Sequence, residues 1–160
     1  MLTLKTLAYR AGIASLVLSL LFTLSLIMLS WLDQRPPKMG LVDGKLQPCR
    51  QSSNCLCSEF AQSPGAAEAI AFQGSPTAAM TKLSNIVRQW PRSRIVTQSE
   101  NYLHAEIQSL VFRFCDDVEF RIDPDASLIH FRSASRVGLF DLGVNRQRMD
   151  QITKAFLSKP

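Results

Sequence analysis

The sequence predicts an α+β protein: a transmembrane helix at the N-terminal end, then an antiparallel sheet with two amphipathic helices packed on one face. Three observations predict it. Residues 11–32 carry no charged side chain and consist mainly of Leu, Ile, Val, Phe, Ala and Met. Two alternating runs, 118–123 and 128–133, flank Pro124-Asp125-Ala126-Ser127 and read as a β-hairpin closed by a turn-forming tetrapeptide. Apolar residues recur at three- and four-residue spacing from Met80 to Trp90, and again from Met149 to Phe156.

The uncharged run is long enough, at about 1.5 Å per residue, to cross a hydrocarbon core of roughly 30 Å. A cleaved secretory signal is the rival reading, but Ser30-Trp31-Leu32 does not resemble a small-residue cleavage site. The division expected is a cytoplasmic head (1–10), a membrane span (11–32), a tether (33–39) containing Pro36-Pro37, and an exported domain (40–160). Lys5 and Arg10 precede the span, whereas Arg35, Lys38 and Lys45 follow it, so local charge barely decides orientation. The short basic head and long trailing domain are those of a signal anchor, which places the domain outside the cytoplasm, on the periplasmic side in a bacterium. The lipid bilayer is then the first partner. Eighteen basic residues against thirteen acidic ones are too small a surplus to suggest nucleic acid.

Within the exported part, residues 40–60 alternate turn formers with single apolar residues and read as an irregular loop. Cys49 and Cys55 are expected to close it with a disulfide, because four cysteines in an exported domain default to oxidised pairs. Zinc is disfavoured, since there is no C-x-x-C and both histidines lie far along the chain; no metal and no cofactor are expected. Residues 61–75 read as non-repetitive surface. A helix is predicted from Thr77, with Thr77 as its cap and Pro91 as its stop. Strands are predicted over 94–98 and 102–108; residues 110–114 either continue the second past a bulge or form another. After the hairpin, 137–143 is a glycine-punctuated loop, and a last helix is expected from about Asn145, with Asn145 as its cap.

The hairpin also predicts a register. With Asp123 opposite Leu128, Phe120 faces Phe131 and Ile122 faces Ile129 on one side, while Glu119 faces Arg132 and Arg121 faces His130 on the other. If the apolar side lies under the helices, the other side carries His104, Glu106, Glu119, Arg121, His130 and Arg132. The plainest reading of that side is a solvated face with ordinary cross-strand ion pairs. The functional reading is a surface for a small anionic ligand, an acidic head group or a membrane-protein partner. A second candidate cluster is Arg132, Ser133, Ser135 and Arg136, followed by Gly138, Asp141, Asn145, Arg146 and Arg148, where hydroxyls and guanidiniums meet a helix start; a network locking the loop competes there with an anion site. Asp116 and Asp117 are neighbours on a strand and point to opposite sides, which removes paired-carboxylate chemistry. A binding or envelope-associated module is expected. The alternative is a small hydrolase, or an enzyme acting on an anion or lipid head group, built around His104, His130 and Ser133.

Three runs carry a family resemblance: PCRQSSNC (48–55), YLHAE (102–106) and DDVEFRIDPDASLIHFRSASRVGLFDLGVNRQR (116–148). Together they resemble the family DUF1499, over about residues 40–157. The motif positions are Pro48, Cys49, Asn54 and Cys55; Tyr102 and Glu106; and, from the third run, Asp116, Asp117, Glu119, Arg132, Ser133, Ser135, Arg136, Gly138, Asp141, Gly143, Asn145 and Arg146. The resemblance implies membrane-linked or exported proteins of bacteria and chloroplasts, and it carries no catalytic residue, because the family has no assigned chemistry. Cys57 and Cys115 depart from the pattern, which raises a second bridge between loop and sheet as a hypothesis.

Overall fold

The structure, a computed structural model, describes residues 3–32, 38–49, 54–138 and 140–158. Its elements are α1 (Leu4–Leu32), β1 (Cys55–Cys57), β2 (Ile70–Ala71), α2 (Pro76–Gln89), β3 (Ser93–Gln98), β4 (Tyr102–Gln108), β5 (Cys115–Asp123), β6 (Leu128–Ser135) and α3 (Val144–Leu157).

Helix α1 starts at Leu4, well before the uncharged run, because Lys5 and Arg10 are good helix formers and nothing caps the chain between them. Its stretch Thr6–Leu29 has a mean hydropathy of 2.4 and contains no buried residue, so it is long and apolar enough to cross a membrane. Of the expected tether, Lys38 and Met39 are described and 33–37 are outside the described residues. So are Arg50–Ser53 of the cystine loop.

The sheet is antiparallel throughout, in the order β1-β6-β5-β4-β3, with β2 also pairing β6. The predicted hairpin register holds: Asp123 pairs with Leu128, Phe120 with Phe131 and Glu119 with Arg132. The turn is fastened by Asp123 Oδ1, which accepts the Ala126 amide at 3.1 Å. Residues 110–114 form no strand. They make a loop that Ser109 closes from both sides, its amide donating to Phe114 O and its hydroxyl accepting from Phe114 N, each at 2.9 Å.

Helices α2 and α3 cover one face. Met80, Leu83 and Val87 of α2 and Met149, Ile152 and Phe156 of α3 pack against Leu103, Ala105, Val118, Phe120, Ile122, Ile129 and Phe131. Both helix starts differ from expectation. Helix α2 begins at Pro76 with Ser75 as its cap, the Ser75 hydroxyl accepting Ala78 N at 3.2 Å. Proline suits the first turn, where no N–H is needed. Helix α3 follows Gly143, held at φ 80°, and receives no cap from Asn145. The Asp141 carboxylate takes that role, accepting the amides of Gly143 and Asn145 at 2.9 Å each.

The expected solvated face is not solvated. Glu119 is 0% exposed and Asp117 2%, on the side of the sheet away from the helices. Residues 38–49 and 54–60 fold over that side: Gly40 N donates to Glu119 at 3.1 Å, and the Glu59 carboxylate takes the Arg121 guanidinium at 2.8 and 3.0 Å. Leu46 is buried in this layer, outside the helix-side core. Cys49 and Cys55 form the expected disulfide. Cys57 and Cys115 form none; each is a buried thiol, and the hypothetical second bridge is absent.

Candidate functional site

The sheet separates the candidate residues into two networks. Strand alternation makes this unavoidable, since consecutive residues of β5 and β6 point to opposite faces.

On the side under residues 38–49 and 54–60, cations and carboxylates alternate across four strands, β3 to β6. Arg94 donates to Glu106 Oε2 at 2.6 Å, and Arg136 Nη2 donates to Glu106 Oε1 at 2.6 Å. Arg136 also grips Asp117 through two nitrogens, at 2.7 and 2.8 Å. His104 Nε2 lies 2.8 Å from Asp117 Oδ1. Two strand positions further along, Glu119 accepts the Tyr102 hydroxyl at 2.7 Å and Arg132 Nη1 at 3.2 Å. Beyond it, His130 Nδ1 is 3.2 Å from Ser58 O, and 4.0 Å from Glu59 Oε2.

The electrostatics follow from burial and pairing. Burial alone would raise the Asp117 carboxyl, but hydrogen bonds from Arg136 and His104 outweigh it and hold Asp117 below the usual carboxylate range. Glu106 behaves likewise: burial raises it, while Arg136 and Arg94 bring it lower overall. Since Asp117 stays ionised, the proton between it and His104 belongs to Nε2. The same pairing raises Arg136, chiefly through its bonds to Asp117. Burial, reinforced by Glu119, pushes the Tyr102 phenol well up.

On the helix side, the second network ties β6 to α3. Asn145 is 1% exposed. Its Oδ1 accepts the Ser133 hydroxyl at 2.6 Å and Arg148 Nη1 at 2.7 Å, and its Nδ2 donates to Asn54 O at 3.0 Å and Ser135 Oγ at 3.2 Å. Arg148 closes the set by donating to Asp116. Every polar atom of Asn145 is committed to the fold, which is why it caps nothing.

The second cluster expected from sequence is therefore not one site. Arg132 and Arg136 belong to the first network, and Ser133, Ser135 and Asn145 to the second. Asp141 is a helix cap. Arg146, next to Asn145 in sequence, is exposed and lines a separate groove of about 790 Å³ with Leu56, Ile70 and Thr153. The hydrolase arrangement is not assembled, because Ser133 lies on the opposite face of the sheet from His104 and His130. Among the described residues, no group of three or more His, Cys, Asp or Glu is placed to hold a metal ion.

What remains open is the end of the first network. A cleft of about 490 Å³ lies between Lys38, Gln47, Pro48 and Asn54 on one wall and Asp117, Arg132, Ser135 and Arg136 on the other. Among the described residues, Arg132 Nε is the buried side-chain polar atom with no hydrogen-bond partner. Leaving a donor in that state costs about 1–3 kcal/mol. Lys38, Gln47, Glu59 and Arg94 were not candidates from sequence. Arg121 and His130, facing each other without an acid between them, were the one hint that a carboxylate such as Glu59 must come from elsewhere.

The family model described as "Protein of unknown function (DUF1499)" matches residues 45–156, which takes in every element from β1 onward except the last residue of α3 and leaves α1 outside. No curated protein matches the chain.

Proposed function

The chain belongs to the DUF1499 family, and from that premise and the cleft just described we propose that it is a membrane-tethered binding module whose ligand is a small anion. The observation that carries the reading is Arg132. Its Nη1 is engaged by Glu119, while its buried Nε faces no protein acceptor. A phosphate or carboxylate oxygen is the natural partner for a guanidinium edge, because a charge-assisted bond there recovers the desolvation already incurred. Lys38 on the facing wall supplies a cation, while the Asn54 amide nitrogen beside it already donates to Gly138 O. Among the described residues, the one acid of the cleft wall, Asp117, is already paired with Arg136 and His104.

The tethering half of the reading is supported by α1, whose apolar stretch is unburied and of membrane-spanning length. We place the domain outside the cytoplasm, at the cell envelope. The Cys49–Cys55 disulfide supports an oxidising compartment.

Calorimetric titration of the full chain in lipid nanodiscs with inorganic phosphate tests the site. Saturable binding at one site is expected, weakened in Arg132→Gln and unchanged in Arg146→Gln, whose side chain lies elsewhere on the surface. No saturable heat, or equal affinity in Arg132→Gln, overturns the reading.

A further inference from the structure

One end of the sheet holds large apolar side chains out in water. The β4–β5 loop exposes Leu110 and Val111 at 73% and 74%, and the β6–α3 loop exposes Phe140 at 75% and Leu142 at 97%. The register brings these loops together: Asp116 pairs with Ser135, and Arg136 N donates to Cys115 O at 3.2 Å. Single exposed apolar residues need no explanation, but four in two adjoining loops do.

The backbone at this end is also unusual. Arg92, Arg113 and Leu142 sit in the left-handed region at φ 57°, 56° and 54°. Glycine or asparagine fills such positions at less strain, so long side chains there call for an explanation outside the local fold. Arg92 reaches this end through its Nε, which donates to Gln108 O at 2.9 Å, and Arg113 through its Nη2, which donates to Gln108 Oε1 at 2.8 Å. Across residues 91–94, 109–114 and 136–144 the one acidic residue is Asp141, already occupied in capping α3. This end is thus apolar at its tips and basic behind them.

The chain itself says what lies next to it. Lys38 lines the cleft at this same end, beside Asp117 and Arg136. It follows Leu32, the last residue of α1, by six positions, a reach of at most about 20 Å.

We infer that this end of the sheet rests on the lipid bilayer, with Leu110, Val111, Phe140 and Leu142 entering the boundary between head groups and acyl chains and Arg92 and Arg113 meeting the lipid phosphates. Apolar tips below a basic band are the composition of an interfacial binding surface, and the short tether holds that surface within reach of the membrane. The inference rests on α1 crossing the bilayer, as proposed above.

The test uses the full chain in vesicles of phosphatidylethanolamine and phosphatidylglycerol, with a fraction of the lipid carrying a photoactivatable diazirine on its acyl chain. After irradiation, adducts are mapped by mass spectrometry. Adducts are expected along 6–29 and on both loops. The double variant Leu110→Glu, Leu142→Glu, altered only at exposed positions, is expected to lose the loop adducts and keep those in α1. Adducts confined to α1 overturn the inference and leave the span standing; adducts in neither overturn both. Loops shielded from hydrogen exchange yet without lipid adducts would mean a protein partner covers them, and that too overturns it.

Discussion

Glu119 and Arg132 stand directly opposite each other on β5 and β6, 3.2 Å apart, and the Glu119 side chain is only 1% exposed. The same carboxylate also accepts Tyr102 OH from β4 and Gly40 N from the overlying segment. One buried charge therefore joins three strands to the layer above them. An exposed cross-strand pair contributes about 0.2–1 kcal/mol, whereas removing one partner of a buried pair costs about 3–5 kcal/mol.

Glu119→Ala is accordingly expected to destabilise the domain by about 3 kcal/mol in chemical denaturation, since it leaves the half-buried Arg132, the buried Tyr102 hydroxyl and the Gly40 amide without their shared acceptor. Hydrogen exchange at Gly40 is expected to accelerate with it. A loss below about 1 kcal/mol would match a solvated pair instead.

Acid is expected to weaken the fold through Asp117 and Glu106. Both ionise below the usual carboxylate range when folded, so their stabilisation is complete above that range and lost as pH falls through it to the folded values. Thermal unfolding followed downward from neutral pH is expected to show a falling midpoint. Arg136→Gln removes the guanidinium that both carboxylates share, and is expected to lower the midpoint at neutral pH while flattening its dependence on acid.

Gly65→Ala is expected to be poorly tolerated although the residue lies in a loop. An added Cβ would stand 2.1 Å from the Cys55 carbonyl oxygen, and the backbone is at φ 75°. The left-handed conformation alone costs a side chain about 1–2 kcal/mol. Gly44→Ala is a control for strain without a clash, since nothing lies within 4 Å of its Cβ position and its φ is 76°. The difference between the two denaturation midpoints measures the clash.

Reduction is expected to open one bridge and one only. Cys49 and Cys55 are six positions apart, a loop whose closure contributes roughly 2 kcal/mol in the chain-entropy picture. Peptide mapping under native, non-reducing conditions should find Cys57 and Cys115 unalkylated, because both are buried and burial pushes the Cys57 thiol up; unfolding should expose both to alkylation.

The hairpin, its register and the helix-side core were legible in the sequence, because alternation in β5 and β6 and three- and four-residue spacing in α2 and α3 state which side chains face inward. The fate of the polar face was not. Alternation distinguishes two sides of a strand but cannot report that a distant, non-periodic segment folds across one of them, and residues 38–60 carry no pattern that announces it. Asn145 misled for a related reason. Its type suits a helix cap, yet a side chain with both donor and acceptor atoms is equally suited to join Ser133, Ser135, Asn54 and Arg148, and tertiary packing chose that role. The cleft was legible only in pieces: Arg132 and Arg136 were candidates, while Lys38 and Gln47 joined them through folding alone.

The most direct measurement is the side-chain Nε–Hε resonance of Arg132, read by ¹⁵N-edited NMR of the full chain in nanodiscs during titration with inorganic phosphate. A saturable shift of Arg132 is predicted, with Arg121, whose Nε already donates to Glu59 at 3.0 Å, unmoved. An Arg132 signal that stays in place, or arginine signals that all drift together without saturating, would contradict the account.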